Sequence, residues 1–218
     1  MASHSNVRGK ERERNLSRSE YFSESYFAIS QLLSLATQVS DVHSMGRKKI
    51  LEIGIGNGFT SRFLRDAGFD VKTADINPDL HPDFCCSLED LPKVLTTGGF
   101  ELVVCCEVLE HLPFEGFEKT LEMFRLIAPD LYLTLPNCSR TFGFGGLINL
   151  PLLAPQLFSF QIPTFSKRKI MEGHYWELGS SSETSVHKVR EALSRFYKSV
   201  SVTRFKLNSY HYAFRCRS

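Results

Sequence analysis

The chain has 218 residues, 42% of them apolar and 23% charged, and a formal net charge of +2. Those proportions suit one soluble α/β-sized domain with a substantial core and leave little room for two. No basic stripe of the kind a nucleic-acid binder carries stands out, and the longest apolar stretch, 147–160, is broken by Pro151 and Pro155 and is too short to span a bilayer.

The first segment, MASHSNVRGKERER, is polar and lacks the apolar run of a secretory signal, while Glu11 and Glu13 argue against a transit peptide. It reads as a disordered tail over 1–19, with the folded domain over 20–218. Phe22, Tyr26, Ile29, Leu33 and Ala36 then recur at helical spacing and predict an amphipathic helix ending before Arg47. A buried parallel strand is expected over 49–55. It runs into a glycine cluster and a helix with Phe59, Phe63 and Ala67 on its inner face, stopped by Gly68. Further strands are expected over 70–74, 84–86, 102–106 and 131–135. The last two are separated by a helix presenting Phe114, Phe117, Leu121, Phe124 and Ile127. Alternation of this kind implies βαβ units, a parallel sheet and helices on both faces. Residues 137–179 break the rhythm as an insertion rich in Gly, Pro and Phe. Ser180 and Glu183 then have capping-box spacing before a helix buried through Val186, Val189, Leu193 and Phe196. Two alternating strands, 199–207 and 211–216, close the chain as a hairpin.

Six cysteines form no C-x-x-C pair, and no histidine spacing completes a zinc set. Neighbouring residues of a strand point to opposite faces, so Cys85/Cys86 and Cys105/Cys106 should each place one thiol on either side of the sheet. Reduced thiols in a cytoplasmic protein are expected.

The first chemical signal is Glu52-Ile53-Gly54-Ile55-Gly56-Asn57-Gly58. Glycines permit a sharp turn and close approach to a ligand, and the following helix offers its N–H groups to a negative group. A dinucleotide site would want its third glycine where Phe59 stands; here the glycines fall at every second residue instead. Asp75, at the end of the second strand, suits the two hydroxyls of a ribose, a role common to several nucleoside cofactors.

Four segments together resemble the class I S-adenosylmethionine-dependent methyltransferases, in their type 11 branch. LEIGIGNGFTSRFL resembles motif I, TADINPDL motif II, SLEDLP at 87–92 the segment along the adenine, and FELVVCCEVLEHLP at 100–113 motif IV. The resemblance implies a Rossmann-like sheet of seven strands, parallel except for a reversed strand of the C-terminal hairpin, and S-adenosylmethionine as cofactor. It implies cofactor contacts from Glu52, Gly54, Gly56, Gly58, Asp75, Ile76, Leu88 and Glu107, with Glu107 near the methionine portion or acting as a base, and His111 in the wall of the fold. Ser87 stands where many relatives carry an acid for the adenine amino group, which shifts that contact to backbone near Leu88.

On the acceptor side, residues 141–169 suit a lid over an apolar acceptor, a surface resting on a membrane, or a packed subdomain or dimer contact. His174, within Gly173-His174-Tyr175-Trp176-Glu177, is the first candidate for a base acting on a hydroxyl, unless Trp176 anchors the lid and His174 caps it. No N/D-P-P-Y follows the fourth strand, which sets aside methylation of DNA bases and protein amides. A catechol-type magnesium site would use Glu107 and Asn137 but lacks its third ligand, so no metal is expected. The expected activity is methyl transfer to an oxygen, or less favourably a nitrogen, of a small-molecule or lipid- or sugar-linked acceptor. The competing functions are a catalytically silent cofactor-binding subunit serving a partner and a nicotinamide-binding domain.

Overall fold

The computed structural model describes residues 13–22, 27–95 and 99–218. The apolar runs become β1 (Lys49–Ile53), β2 (Asp70–Asp75), β3 (Phe84–Cys85), β4 (Leu102–Cys106) and β5 (Asp130–Pro136), and the chain closes with β8 (Ser199–Arg204) and β9 (His211–Arg217). These seven form one sheet in the order β3-β2-β1-β4-β5-β9-β8. Neighbours from β3 to β5 are parallel, and β9 alone runs against the strands beside it.

Strand alternation divides the core in two. Leu51, Ile53, Val103, Cys105, Leu131, Leu133 and Leu135 face one side, where α4 (Phe117–Ile127) and α5 (Val186–Phe196) pack. Ile50, Leu102, Val104 and Tyr132 face the other, under α1 (Ile29–Ser44) and α2 (Phe59–Asp66). Cys105 belongs to the first core and Cys106 packs against the second, and all six cysteines are free thiols. The α4 stripe lies where its spacing predicts, with Phe117, Leu121, Phe124 and Ile127 buried, each worth about 1.5–3 kcal/mol in apolar burial. A short turn of helix, α3 (Leu91–Val94), follows β3.

Two helices turn a different face inward from the one their apolar residues predict. In α1 the buried residues are Ser34, Leu35, Gln38, Asp41 and Val42, whereas Ile29 and Ala36 are exposed and Tyr26 lies outside the described residues. The polar members are bonded across the fold: Ser34 Oγ to His211 Nδ1 at 3.1 Å, Gln38 Oε1 accepting from Thr60 Oγ1 at 3.3 Å, and Asp41 Oδ2 accepting from Tyr132 OH at 3.0 Å. In α2 the buried residues are Thr60, Ser61 and Leu64, while Phe59 and Phe63 stack on each other outside. Both helices bury the polar groups that the sheet must satisfy, and this overrides the apolar stripe. The cap of α5 is Ser185, whose hydroxyl accepts from Lys188 N at 3.3 Å, rather than Ser180; Ser180 and Thr184 instead hold the turn before it.

The insertion forms a separate two-stranded hairpin, β6 (Ser139–Ile148) and β7 (Gln156–Lys167). It leans on the loop between β8 and β9 through Gln161, whose side-chain amide donates to Phe205 O at 3.1 Å and Lys206 O at 2.8 Å. Residues 13–19, expected within a disordered tail, pack against the body instead: Asn77 Nδ2 donates to Glu13 O at 3.0 Å and Leu16 O at 2.8 Å. Residues 1–12 lie outside the described residues.

Candidate active site

The carboxyl ends of β1, β2 and β4 open into one cavity of about 950 Å³, within the range of small-molecule and cofactor sites. At its glycine end the chain leaves β1 through Gly54, Gly56 and Gly58, with φ of +78°, +52° and +72°. A side chain at Gly54 would clash with Val108 Cγ2, so both conformation and space demand glycine there. Asp75 fixes this loop to β2, its Oδ2 accepting from Ile55 N at 2.7 Å and its Oδ1 from Asn77 N at 2.8 Å. Burial raises the Asp75 carboxyl, and those backbone donors only partly offset it. Glu52, buried at the end of β1, is pushed up to about 7 by burial against the opposing hydrogen bonds of Ser61. Its Oε2 has no hydrogen-bond partner among the described residues.

The opposite end is assembled from side chains of distant segments. Glu107 follows β4 with φ of +55°, a strained backbone for a residue with a Cβ. Its Oε2 lies 3.2 Å from His211 Nε2 at the start of β9. Burial opposes ionisation of Glu107, but His211, with smaller help from Thr134 and His174, holds the carboxyl below its usual range. Three residues on, Glu110 is fully buried, and neither carboxylate oxygen has a hydrogen-bond partner among the described residues. Burial, and then the neighbouring Glu107, push Glu110 well above the usual carboxylate range.

The segment after the hairpin returns over these groups. Tyr175 N donates to Glu110 O at 2.8 Å, and Trp176 Nε1 to Leu112 O at 3.1 Å. The indole packs edge-on against the stacked pair Phe114 and Phe117 and is buried. Glu177, fully buried, accepts from Met171 N at 3.0 Å, pairs with Arg168, and lies 2.9 Å from His174 Nδ1. The His174 ring meets His111 edge-to-face at 4.8 Å, and His111 Nδ1 lies 3.2 Å from Gly173 O.

A family model described as a methyltransferase domain matches residues 25–192. The chain belongs to that family. It is a class I, S-adenosylmethionine-dependent methyltransferase. Among solved structures, the fold is similar to magnesium protoporphyrin IX methyltransferase from Synechocystis PCC 6803, with 15% identity, 100% of this chain and 99% of that one covered, and a TM-score of 0.60. A Burkholderia thailandensis 1,6-didemethyltoxoflavin-N1-methyltransferase gives 13%, 100%, 91% and 0.55 in the same order. A small RNA methyltransferase gives 12%, 85%, 25% and 0.53. No curated protein matches the chain.

In this methyltransferase the sequence-predicted Glu52, Gly54, Gly56, Asp75, Ile76, Leu88, Glu107 and His174 all line the one cavity. Gly58 does not; it precedes α2 in left-handed conformation, and its N–H closes the loop onto Ile55 O at 2.8 Å. Ser87 also lines the cavity, and its hydroxyl donates to Asp90 Oδ2 at 2.8 Å. Of the insertion, Met171, Glu172 and His174 line the cavity, and 141–169 does not. Glu13, Leu16, Glu20 and Tyr21 also line it. Sequence reasoning missed this segment, as well as Glu110 and His211. Glu110 was visible in the E-V-L-E-H run, but its burial was not, and His211 becomes a site residue only through the β5–β9 register that sets it opposite Pro136.

Proposed function

We propose that this methyltransferase acts on an oxygen of a small-molecule or lipid- or sugar-linked acceptor. The observation that carries this reading is the His174–Glu177 pair on the cavity wall. With Nδ1–H donating to the buried Glu177 carboxylate, the basic lone pair of His174 is on Nε2, ready to draw the proton of an acceptor hydroxyl.

The other end fits the cofactor. The space a side chain would take at Gly56 is open, which leaves room for close approach, and the unpartnered oxygen of buried Glu52 awaits a donor such as the methionine ammonium. Asp75, held by two backbone N–H groups, retains lone pairs for the ribose hydroxyls, and Ile76 and backbone at Leu88 flank the base. Glu107 faces the methionine portion. S-adenosylmethionine bound there supplies a methyl group on a sulfonium, and the protein's part is to align the acceptor and exclude water.

The hairpin supports a lipid-linked acceptor. From Thr141 to Ser166 the chain carries no charged residue, while Arg140, Lys167 and Lys169 flank that stretch. Phe142, Phe144, Leu150, Leu152 and Phe165 are more than half exposed. An apolar tip with a cationic base complements an anionic bilayer surface. No helix among the described residues is long and apolar enough to cross a membrane, so contact would be peripheral. Flotation with phosphatidylglycerol vesicles should carry the protein upward at low salt, and Phe144→Ser/Leu152→Ser should abolish it; equal flotation of wild type and variant would contradict membrane contact.

Transfer of labelled methyl to a panel of hydroxylated small molecules, lipid extracts and RNA tests the acceptor. Base-stable label on a hydroxylated small molecule or lipid is expected, with at least a hundredfold loss in kcat for His174→Gln. Labelling only of amines or RNA would overturn the reading.

A further inference from the structure

We propose that Glu110, His111 and His174 form a binding site for one divalent transition-metal ion at the end of the cavity opposite the glycine loop. One ligand atom from each residue lies within 4.8 Å of the others. Two imidazoles and a carboxylate bind such ions at about 2.0–2.2 Å, which places ligand atoms at most roughly 4 Å apart. Closing the present span onto a common ion therefore requires side-chain movement of less than about 1 Å.

Proximity alone would not make a site, and two further features point to a cation. Glu110 is fully buried, with neither carboxylate oxygen hydrogen-bonded among the described residues. A buried carboxylate left without partners costs several kcal/mol, and Glu107 and the fully buried Glu177 add like charge around it. A divalent cation answers both the missing partners and the excess of acids. The second feature is how the histidines are held. His111 Nδ1 lies against Gly173 O and His174 Nδ1 against Glu177 Oε1, at 3.2 and 2.9 Å. Both rings thus direct the Nδ1–H to an acceptor and carry the lone pair on Nε2. A carbonyl or carboxylate behind a histidine ring is the usual outer support of a metal ligand, fixing its tautomer and raising its basicity.

The ligand set selects among ions. Two imidazoles with one carboxylate favour Zn²⁺, Co²⁺, Mn²⁺ or Fe²⁺ over the all-oxygen preferences of Mg²⁺ and Ca²⁺. It is also distinct from the Glu107/Asn137 arrangement, which would use side chains at the ends of the fourth and fifth strands. Glu110, His111 and His174 line the same cavity as the glycine loop, and three protein ligands leave a coordination position for an oxygen of the acceptor. An acceptor hydroxyl bound there would lose its proton to solvent more readily, the ion acting as Lewis acid. In that role, which rests on the oxygen-acceptor reading above, the Nε2 lone pair of His174 serves the ion and not the proton directly.

Cobalt is the direct probe. Protein dialysed against a chelator is titrated with CoCl₂ and followed by visible absorption, and S-adenosylhomocysteine binding is measured on the same samples. One equivalent of Co²⁺ should give a saturating d–d spectrum, displaced by Zn²⁺. Glu110→Gln and His174→Gln should weaken Co²⁺ binding at least tenfold while S-adenosylhomocysteine affinity stays within threefold, which also reports that the variants are folded. His43→Ala, an exposed histidine of α1, should bind Co²⁺ as wild type does. Absence of Co²⁺, Zn²⁺ and Mn²⁺ binding, or Co²⁺ spectra unaltered by both ligand substitutions, would overturn the site. Methyl transfer that persists fully in chelator would then leave His174 acting as base, whereas loss of S-adenosylhomocysteine binding in the wild type would sink the enzyme reading itself.

Discussion

The two ends of the cavity are built by different means. The glycine end is backbone work: three left-handed glycines, a strand-end carboxylate gripped by loop N–H groups, and the start of a helix, all within 49–80. The other end is side-chain work from three remote segments, with Glu107 and Glu110 after β4, His174 and Glu177 beyond the hairpin, and His211 at the start of β9. The first can be rigid and insensitive to the rest of the fold. The second exists only when the return segment is docked, and Trp176, set edge-on against the stacked Phe114 and Phe117 and bonded to Leu112 O, is what docks it.

Separate construction implies that the ends can be damaged separately. Trp176→Ala should cost about 3–5 kcal/mol of stability in urea denaturation, yet leave S-adenosylhomocysteine affinity within threefold; a parallel collapse of affinity would show the ends to be one unit. Gly54→Ala acts the other way. Its side chain meets Val108 in a backbone conformation that L-residues avoid. Calorimetry should find S-adenosylhomocysteine binding weakened at least a hundredfold, about 2.8 kcal/mol, and unchanged affinity would remove the reason for the glycine. Asp75→Ala should weaken binding at least tenfold, about 1.4 kcal/mol; an unchanged dissociation constant would misplace the ribose.

A further effect is a pH dependence at Glu52. The folded chain holds its proton up to about 7, above the 4.5 of a free glutamate, because the carboxyl is buried. The folded state therefore binds more protons than the unfolded one between those values. Stability from this group is present at low pH and declines as pH rises through that window, by at most about 1.4 kcal/mol per pH unit. A cofactor ammonium favours the ionised form, so S-adenosylhomocysteine affinity should rise from pH 6 to 8 and level off above. Glu52→Gln should flatten both trends; an unaltered slope in the variant would assign the titration elsewhere.

The same division explains what could be read in the sequence. The glycine spacing, Asp75 and the strands were legible because each depends on a few consecutive residues. Strand register, which brings His211 to Glu107, depends on a turn at 205–210 and is silent in local pattern. The helix faces were misleading for a related reason. Ser34, Gln38 and Asp41 are buried because partners far along the chain need them, and no periodicity of apolar residues records that. The stretch 141–169 breaks the strand-helix rhythm in the sequence, but its pairing into a hairpin with mostly exposed side chains is not recorded in local pattern.

Calorimetry of the purified protein with S-adenosylhomocysteine, and in parallel with NAD, tests the central assignment most directly. One S-adenosylhomocysteine should bind per chain, with no heat from NAD. Tight NAD binding without any response to S-adenosylhomocysteine would contradict it.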